Sequence, residues 1–207
     1  VRVDGARSNA PMRLDCRAVT TKKGRTMDIK RIHHVAYRCN DAKETVEFYQ
    51  RVLGMDFQLA IAENQVPSTK APDPYMHVFL DAGMGNVLAF FELPNSPQMG
   101  VDPNTPNWVQ HIAFEVETFE HLMRAKANIE AEGVEVLGPT NHGIFQSIYF
   151  RDPNGHRLEL AVNTQTPEEM AELRRVAPDM LDEWHQTRHA PRHAAWLHEK
   201  EFNPETV

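Results

Sequence analysis

The order of apolar and polar residues repeats in the middle of the chain. One copy opens with Ile-His-His-Val-Ala-Tyr at 32–37, and the other opens with Val-Gln-His-Ile-Ala-Phe at 109–114. In each copy a helical pattern comes next, followed by strand-like runs joined by turns. The repeat therefore predicts two β-α-β-β-β modules, at 28–94 and 107–163. Because one such module is too small to bury its own sheet, the two should pack together as one unit.

Each predicted helix has a start signal and a stop signal. Asp41 with Glu44 three residues later resembles a capping box, and Thr118 can cap the second helix. Gly54 and Gly133 follow the two helical patterns, at the position where a left-handed residue ends a helix. The two modules are therefore alike in their helix as well as in their first strand.

Turn residues separate the predicted strands that follow each helix. The sequence Asp152-Pro153-Asn154-Gly155 is typical of a hairpin turn, and the polar stretch at 64–74 is interpreted as an insertion. The strand-like runs beside the turns are 76–80, 86–93, 145–150 and 156–162. The predicted fold class is therefore α+β.

The N-terminal segment differs from the modules. Residues 1–26 hold seven Lys or Arg against two Asp and show no apolar periodicity. We interpret them as a disordered leader, or as codons translated upstream of a natural start at Met27, with a transit peptide as the alternative. Both modules then lie in one predicted domain at 27–163.

A helical extension at 164–207 is predicted to follow the modules. Thr166 with Pro167 is a helix start signal, since proline is favoured at the first helical position. Pro178 and Pro191 predict breaks between helical stretches. We expect this extension to pack on the outside, to cover a cavity mouth or to contribute to a dimer.

Composition narrows the class of protein. The longest apolar run, Val87–Phe91, is far shorter than the ~20 residues that cross a bilayer, and the formal net charge of −7 disfavours a broad cationic face for nucleic acid. Cys16 and Cys39 are too few for a disulfide framework, which favours a reducing compartment. We therefore expect a cytoplasmic protein with neither a membrane nor a nucleic acid as partner.

Histidine is in excess, at 11 of 207 residues, and it is the commonest transition-metal ligand. His34 and His111 hold equivalent positions near the start of equivalent strands, with His33 as the alternative to His34. Glu159 lies between two leucines on the last strand, so alternation points its carboxylate to the opposite face, where it needs a partner. Two imidazoles and one carboxylate form the facial triad of a divalent metal site with open positions. Ala89 stands at the matching place in the first module, so the pattern supplies three ligands there rather than four.

These residues resemble the vicinal oxygen chelate superfamily. It includes glyoxalase I, bleomycin-resistance proteins, methylmalonyl-CoA epimerase, fosfomycin-resistance enzymes and type I extradiol ring-cleaving dioxygenases. The resemblance covers about residues 28–163 and is carried by His-Val-Ala-Tyr, His-Ile-Ala-Phe-Glu-Val and Tyr-Phe-Arg-Asp-Pro-Asn-Gly-His-Arg-Leu-Glu-Leu. It implies that the two modules form an open, eight-stranded, barrel-like sheet around a metal ion.

Within that superfamily, the three candidate ligands match the His, His and Glu iron ligands of the extradiol dioxygenases. Tyr149, ten residues before the carboxylate, matches the tyrosine that hydrogen-bonds the bound catecholate. The histidine that handles protons near dioxygen in those enzymes has no clear counterpart, and His77 and His142 are its nearest candidates. The aligned region holds Glu92, which with its neighbour Phe91 is assigned to substrate binding.

The resemblance implies an Fe(II)-dependent ring-cleaving dioxygenase that acts on a catecholic or related vicinal-oxygen aromatic substrate, as a homodimer. Mn(II), Zn(II) and Ni(II) are alternatives to iron, because histidine and carboxylate ligands suit them all. Two other functions stay open. One is a glyoxalase- or epimerase-type lyase or isomerase that uses Glu92 as fourth ligand or base. The other is a metal-free protein that sequesters a small aromatic or peptide drug.

Overall fold

The computed structural model describes residues 29–193 and Trp196, and its helices and strands lie in a compact unit that begins at His33. The leader predicted at 1–26 lies outside the described residues. In the described part, no helix has both the length and the apolar character needed to cross a membrane.

Both modules have the predicted order of elements. The first contains β1 (Val35–Cys39), α1 (Ala42–Leu53), β2 (Asp56–Glu63), β3 (Tyr75–Asp81) and β4 (Val87–Glu92). The second contains β5 (His111–Glu115), α2 (Phe119–Ala131), β6 (Leu137–Asn141), β7 (Phe145–Arg151) and β8 (Arg157–Asn163). The sheet orders are β1-β4-β3-β2 and β5-β8-β7-β6, with β1 parallel to β4 and β5 parallel to β8. The α+β class with two β-α-β-β-β modules is confirmed.

Strand register supports the alignment of the two copies. Ala36 pairs with Ala89 in the first sheet, and Ala113 pairs with Glu159 in the second. The first sheet therefore has an alanine at the position where the second sheet has a carboxylate.

The eight strands form two separate four-stranded sheets. Between residues 29 and 193 no backbone ladder joins one sheet to the other, so the strands do not close into a barrel. Each sheet therefore has two edge strands, β1 and β2 in the first and β5 and β6 in the second. Most residues of β1 and β5 are exposed or partly exposed.

One apolar core joins the modules. α1 packs on the first sheet and α2 on the second, and a single cluster of buried side chains includes Tyr49, Phe90, Leu122 and Leu158. Burial of each large apolar side chain contributes ~1.5–3 kcal/mol. We call the face of each sheet opposite this core its far face. By alternation it carries Phe79 and Ala89 on the first sheet, and Tyr149 and Glu159 on the second.

The predicted hairpin turn between β7 and β8 also connects the modules. The side chain of Asn154 accepts a hydrogen bond from the Asn40 N–H (2.8 Å) and donates one to Thr45 Oγ1 (3.0 Å). The Tyr49 hydroxyl donates to Asp152 Oδ2 (3.2 Å). The turn therefore fixes the second module against the start of α1.

Within residues 164–193, the chain forms one helix, α3 (Pro167–Thr187). Thr166 caps it in a capping box with Glu169, in agreement with the predicted start. The predicted break at Pro178 is wrong, because the helix continues through this residue. Because Pro178 has no N–H, the carbonyl oxygen of Arg174 has no helical donor. Both residues are exposed, so water can hydrogen-bond to this carbonyl.

Candidate metal centre

Polar side chains gather on the far face of the second sheet. His111 opens β5, and Glu159 lies in the neighbouring β8. Leu158 and Leu160 belong to the core, so alternation turns Glu159 to the far face, as the sequence predicted. Glu159 is only 3% exposed, and a carboxylate so deeply buried needs charged or hydrogen-bonding partners.

One of these partners is His111. Its Nε2 lies 2.9 Å from Oε2 of Glu159, and its Nδ1 lies 3.0 Å from the carbonyl oxygen of Val109. Because a carbonyl oxygen only accepts, Nδ1 carries the proton, and the lone pair of a neutral His111 imidazole is on Nε2. Nε2 and the carboxylate oxygen then turn two electron pairs toward one another, an arrangement that a shared cation stabilises.

The other oxygen of Glu159, Oε1, accepts two hydrogen bonds from β7. The hydroxyl of the fully buried Ser147 donates one, and the Tyr149 hydroxyl donates the other over 3.3 Å. These bonds orient the carboxylate and leave Oε2 facing His111. Ser147 is absent from the residues predicted above, although its place two residues before Tyr149 puts it on the same face of β7.

His142 reaches the site from the loop between β6 and β7. Its Nε2 lies 2.7 Å from the Tyr149 hydroxyl, and its ring centroid lies 4.8 Å from that of Phe145. Burial, and after it the charge of Glu159, raise the pKa of Tyr149, so the phenol keeps its proton at neutral pH. His142, Tyr149 and Glu159 therefore form one hydrogen-bonded chain, which brings two of the predicted catalytic residues to a predicted ligand.

His34 lies on the first module, just before β1. Its ring meets those of His77 and Phe79 edge-on, with centroids 6.1 and 5.9 Å away, and its Nδ1 lies 2.8 Å from that of His33. Among residues 29–193 and Trp196, no group of three His, Cys, Asp or Glu side chains is arranged to hold a metal ion. Within one chain, therefore, His34 does not join the pair of His111 and Glu159.

His77 and Phe91 pack together on the far face of the first sheet. Their rings are stacked with centroids 3.5 Å apart, and Nε2 of His77 has no hydrogen-bond partner in the described part of the chain. Burial, and after it the neighbouring His34, lower the pKa of His77, which favours a neutral imidazole. The structure thus places His77 beside His34 rather than beside Glu159.

Glu92 lies on the core face of the first sheet. Its Oε2 accepts a hydrogen bond from the Ala42 N–H (2.7 Å) in the first turn of α1. It pairs in register with Cys39, which belongs to the core. The carboxylate therefore satisfies an amide that the helix leaves free. Glu92 thus lies on the face of the sheet opposite to Phe91. Its role in substrate binding stays a prediction.

The fold agrees with the comparison to known families. A family model described as the Glyoxalase/Bleomycin resistance protein/Dioxygenase superfamily matches residues 31–160, which is more than half of the chain. The chain belongs to this superfamily. Its fold is also similar to that of a solved glyoxylase/bleomycin resistance protein/dioxygenase domain from Frankia sp. EAN1pec. The TM-score is 0.53 at 16% sequence identity, over 66% of this chain and 100% of that one.

Relatives within the superfamily have different activities. The chain is 28% identical to Lactoylglutathione lyase GLX1 of Arabidopsis thaliana, over 70% of this chain and 49% of the lyase. It is 29% identical to Biphenyl-2,3-diol 1,2-dioxygenase 3 of Rhodococcus globerulus, over 67% of each protein. It is 33% identical to Metallothiol transferase FosB of Shouchella clausii (strain KSM-K16), over 54% of this chain and 83% of the transferase. The chain thus spans about half the length of the plant lyase, and membership alone does not assign its reaction.

Superfamily members bind divalent metals, and the donors of this chain suit such an ion. Ligand atoms about 2.1 Å from a metal and about 90° apart lie ~3 Å from one another. Nε2 of His111 and Oε2 of Glu159 are 2.9 Å apart. The contacts to Val109 and Ser147 are of the kind that orient metal ligands. This pair of donors therefore fits two coordination positions of a divalent transition metal.

Proposed function

We propose that this protein is an Fe(II)-dependent dioxygenase that cleaves the ring of a catecholic or related vicinal-oxygen aromatic substrate. The observation that carries the proposal is the hydrogen-bonded chain of His142, Tyr149 and Glu159 next to His111. It combines two ligand side chains with a phenol and an imidazole that can move a proton. The similarity to a biphenyl-2,3-diol dioxygenase supports this reaction class.

The proposed ligands are His34, His111 and Glu159. Two imidazoles and one carboxylate would hold a divalent ion with one net positive charge, and this charge would favour the deprotonated form of a bound catechol. A substrate bound beside Glu159 would have its oxygens close to Tyr149. The hydroxyl groups of Tyr149 and Ser147 both donate to Oε1 of Glu159.

Tyr149 and His142 orient the substrate and handle its proton. Because the pKa of Tyr149 is raised, its hydroxyl stays protonated and can donate to a substrate oxygen. Because the single Tyr149 proton is directed to Glu159, the Nε2–H of His142 donates to the phenol oxygen over 2.7 Å. His142 can therefore replace a proton that Tyr149 passes to the substrate.

The placement of two residues of the first module favours ring cleavage over the lyase or isomerase reaction. That reaction needs Glu92 as fourth ligand or base, and Glu92 instead bonds to the start of α1. Ala89 occupies the position that matches Glu159. Three protein ligands leave coordination positions for a bidentate substrate and dioxygen.

We also propose that His34 reaches the metal from a second copy of the chain. His34 lies with Phe79 on the first sheet, and Leu59 and Ile61 on the same far face are 48% and 45% exposed. Superfamily enzymes often form dimers. In a twofold dimer, the first module of each copy can meet the second module of its partner, which completes two identical sites and covers these apolar side chains.

Oxygen uptake tests the function. The protein is loaded with Fe(II) without oxygen and then mixed with a panel of catechols. The wild type should consume oxygen and form a yellow ring-opened product. His111→Ala should lose both iron and activity, because it removes a ligand that contacts Glu159. His189→Ala, which changes an exposed histidine, should keep both.

Two results would contradict this function in different ways. Stoichiometric iron without oxygen uptake, together with turnover of the methylglyoxal–glutathione adduct, would replace ring cleavage with the lyase reaction. Absence of metal binding in the wild type, with tight binding of an aromatic drug, would favour the metal-free binding protein.

A further inference from the structure

Two arginines stand next to the candidate metal centre on the far face of the second sheet. His111, Arg157 and Arg151 are register partners across β5, β8 and β7, so their side chains form one row. Glu159 and Tyr149 belong to the next row on the same face, two residues along each strand. Any ligand bound at His111 and Glu159 therefore has Arg157 as a neighbour.

Arg157 has no anionic partner in the described part of the chain. Its guanidinium carbon lies 4.2 Å from the centroid of the Tyr149 ring, a cation–π contact that holds the group over the site. Its Nε is buried and has no hydrogen-bond partner among residues 29–193. A guanidinium has five N–H donors in a fork that matches a carboxylate, and burying such a charge without partners is costly. No hydrogen bond among the described residues uses the Nη groups of Arg157, so these donors are available to a ligand.

Arg151 adds positive charge beside Arg157. It donates to the carbonyl oxygens of Gly155 (2.7 Å) and Asn107 (3.5 Å), which hold it in place without neutralising it. None of the ion pairs formed by the described residues involves either arginine. The two guanidinium groups therefore place positive charge on this part of the far face, in a protein whose net charge is −7.

Two neighbouring cavities share these arginines. One has a volume of about 290 Å³ and includes His111, and the other has a volume of about 380 Å³ and includes Tyr149. Asp102 lines the first cavity and Glu135 the second. The Asp102 carboxylate accepts from Thr105 Oγ1 (2.6 Å) and the Asn104 N–H (2.9 Å), and neither acid is in an ion pair with either arginine among the described residues. There is therefore room beside His111 and Tyr149 for a substrate arm that ends at the arginines.

We propose that Arg157, supported by Arg151, binds a carboxylate on the substrate, so that the substrate is an anionic aromatic diol rather than a neutral catechol. This inference rests on the proposed function for the diol, but the carboxylate site itself requires only the two arginines. The fork of Arg157 fixes the distance between the carboxylate and the two vicinal oxygens, and it selects substrates by charge.

Calorimetry with matched ligands tests the carboxylate site. The full chain is loaded with Fe(II) in the absence of dioxygen and titrated with 3,4-dihydroxybenzoate and with neutral 4-methylcatechol. The wild type should bind the carboxylate ligand about tenfold or more tightly, the gain expected from a charged hydrogen bond. In Arg157→Gln the ratio of the two dissociation constants should fall to about one. Arg157→Lys should recover part of the preference, and Arg175→Leu, at an exposed arginine of α3, should keep it.

The results distinguish failure of the carboxylate site from failure of the proposed ring-cleaving function. A wild type without preference, or an Arg157→Gln variant with the wild-type ratio, overturns the carboxylate site even if catechol binding requires iron. Benzoate has a carboxylate but no vicinal oxygens, so it tests the carboxylate site alone. Its binding is measured by ligand-observed NMR. If catechols do not bind but benzoate binds and Arg157→Gln abolishes it, the proposed function fails and the carboxylate site stands.

Discussion

Glu159 determines which side chains the site needs around it. With 3% of its surface exposed, its carboxylate depends on protein groups instead of water. Oε1 accepts from two hydroxyl groups of β7, and Oε2 faces the imidazole of His111. This division of roles holds one oxygen in place and presents the other, as expected for a metal ligand.

Ser147→Ala is predicted to weaken metal binding. The substitution removes the Ser147 hydroxyl that orients Oε1, so Glu159 loses one of the contacts that keep Oε2 toward His111. Loss of such a contact typically lowers metal affinity ~10- to 100-fold. Titration of the metal-free protein with Fe(II) or Zn(II) measures the change. Thr187→Ala, which removes an exposed hydroxyl of α3, is the control. An unchanged dissociation constant in Ser147→Ala would show that Tyr149 alone orients the carboxylate.

At the scale of elements, β6 and β7 lie unusually close beside Ser147. Gly138 in β6 has φ +103°, and a Cβ added to it would lie 2.6 Å from the carbonyl oxygen of Ser147 and 3.3 Å from Cα of Ile148. Both atoms belong to the backbone, so they cannot give way as a flexible side chain would. The position of Ser147 under Glu159 therefore depends on a glycine in the neighbouring strand.

Gly138→Ala is predicted to destabilise the second module. The new methyl group would push β6 from β7 and strain a backbone conformation that L-residues rarely adopt, at a cost of ~2 kcal/mol or more in the free energy of unfolding. Urea denaturation measures this cost. Gly100→Ala should change it by less than ~0.5 kcal/mol, because nothing lies within 4 Å of a Cβ there. Equal stability of the two variants would contradict the close packing.

At the scale of the whole molecule, one core and one turn join two similar modules, and their roles in the site differ. The second module holds His111, Glu159 and the chain of hydrogen bonds, whereas the first holds His34 beside His77. The exposed edge strands and far-face residues such as Leu59 remain for contact with another copy. In the proposed dimer, the metal site would therefore draw its ligands from both copies.

Mixing two inactive variants is predicted to restore activity. His34→Ala and His111→Ala should each be inactive alone. In a mixed dimer one site receives both substitutions and the other receives neither. Half of the dimers are mixed after random exchange, so about a quarter of the wild-type activity and bound metal should return. Native mass spectrometry measures the exchange of subunits between the two variants. Mixed dimers without recovery would mean that His34 serves the site of its own chain, or no site.

Local pattern was sufficient to predict much of the fold and part of the site. The repeat located both modules, Asp41 and Thr118 cap the helices as predicted, and Gly54 ends α1 in the left-handed region. The alternation of leucines around Glu159 indicated the face of its carboxylate. These features depend on residues a few positions apart, whose geometry follows from the helix or strand itself.

The sequence by itself thus determined the element order, the faces of the strands, and His111 and Glu159 as metal-ligand candidates. Only the tertiary structure decided which of these faces meet. It separated the strands into two sheets, placed Ser147 and Arg157 at the site, turned Glu92 toward α1 and left His34 on the other module. The physical reason is that strand pairing and module packing join residues far apart in the chain, through contacts that no local periodicity encodes.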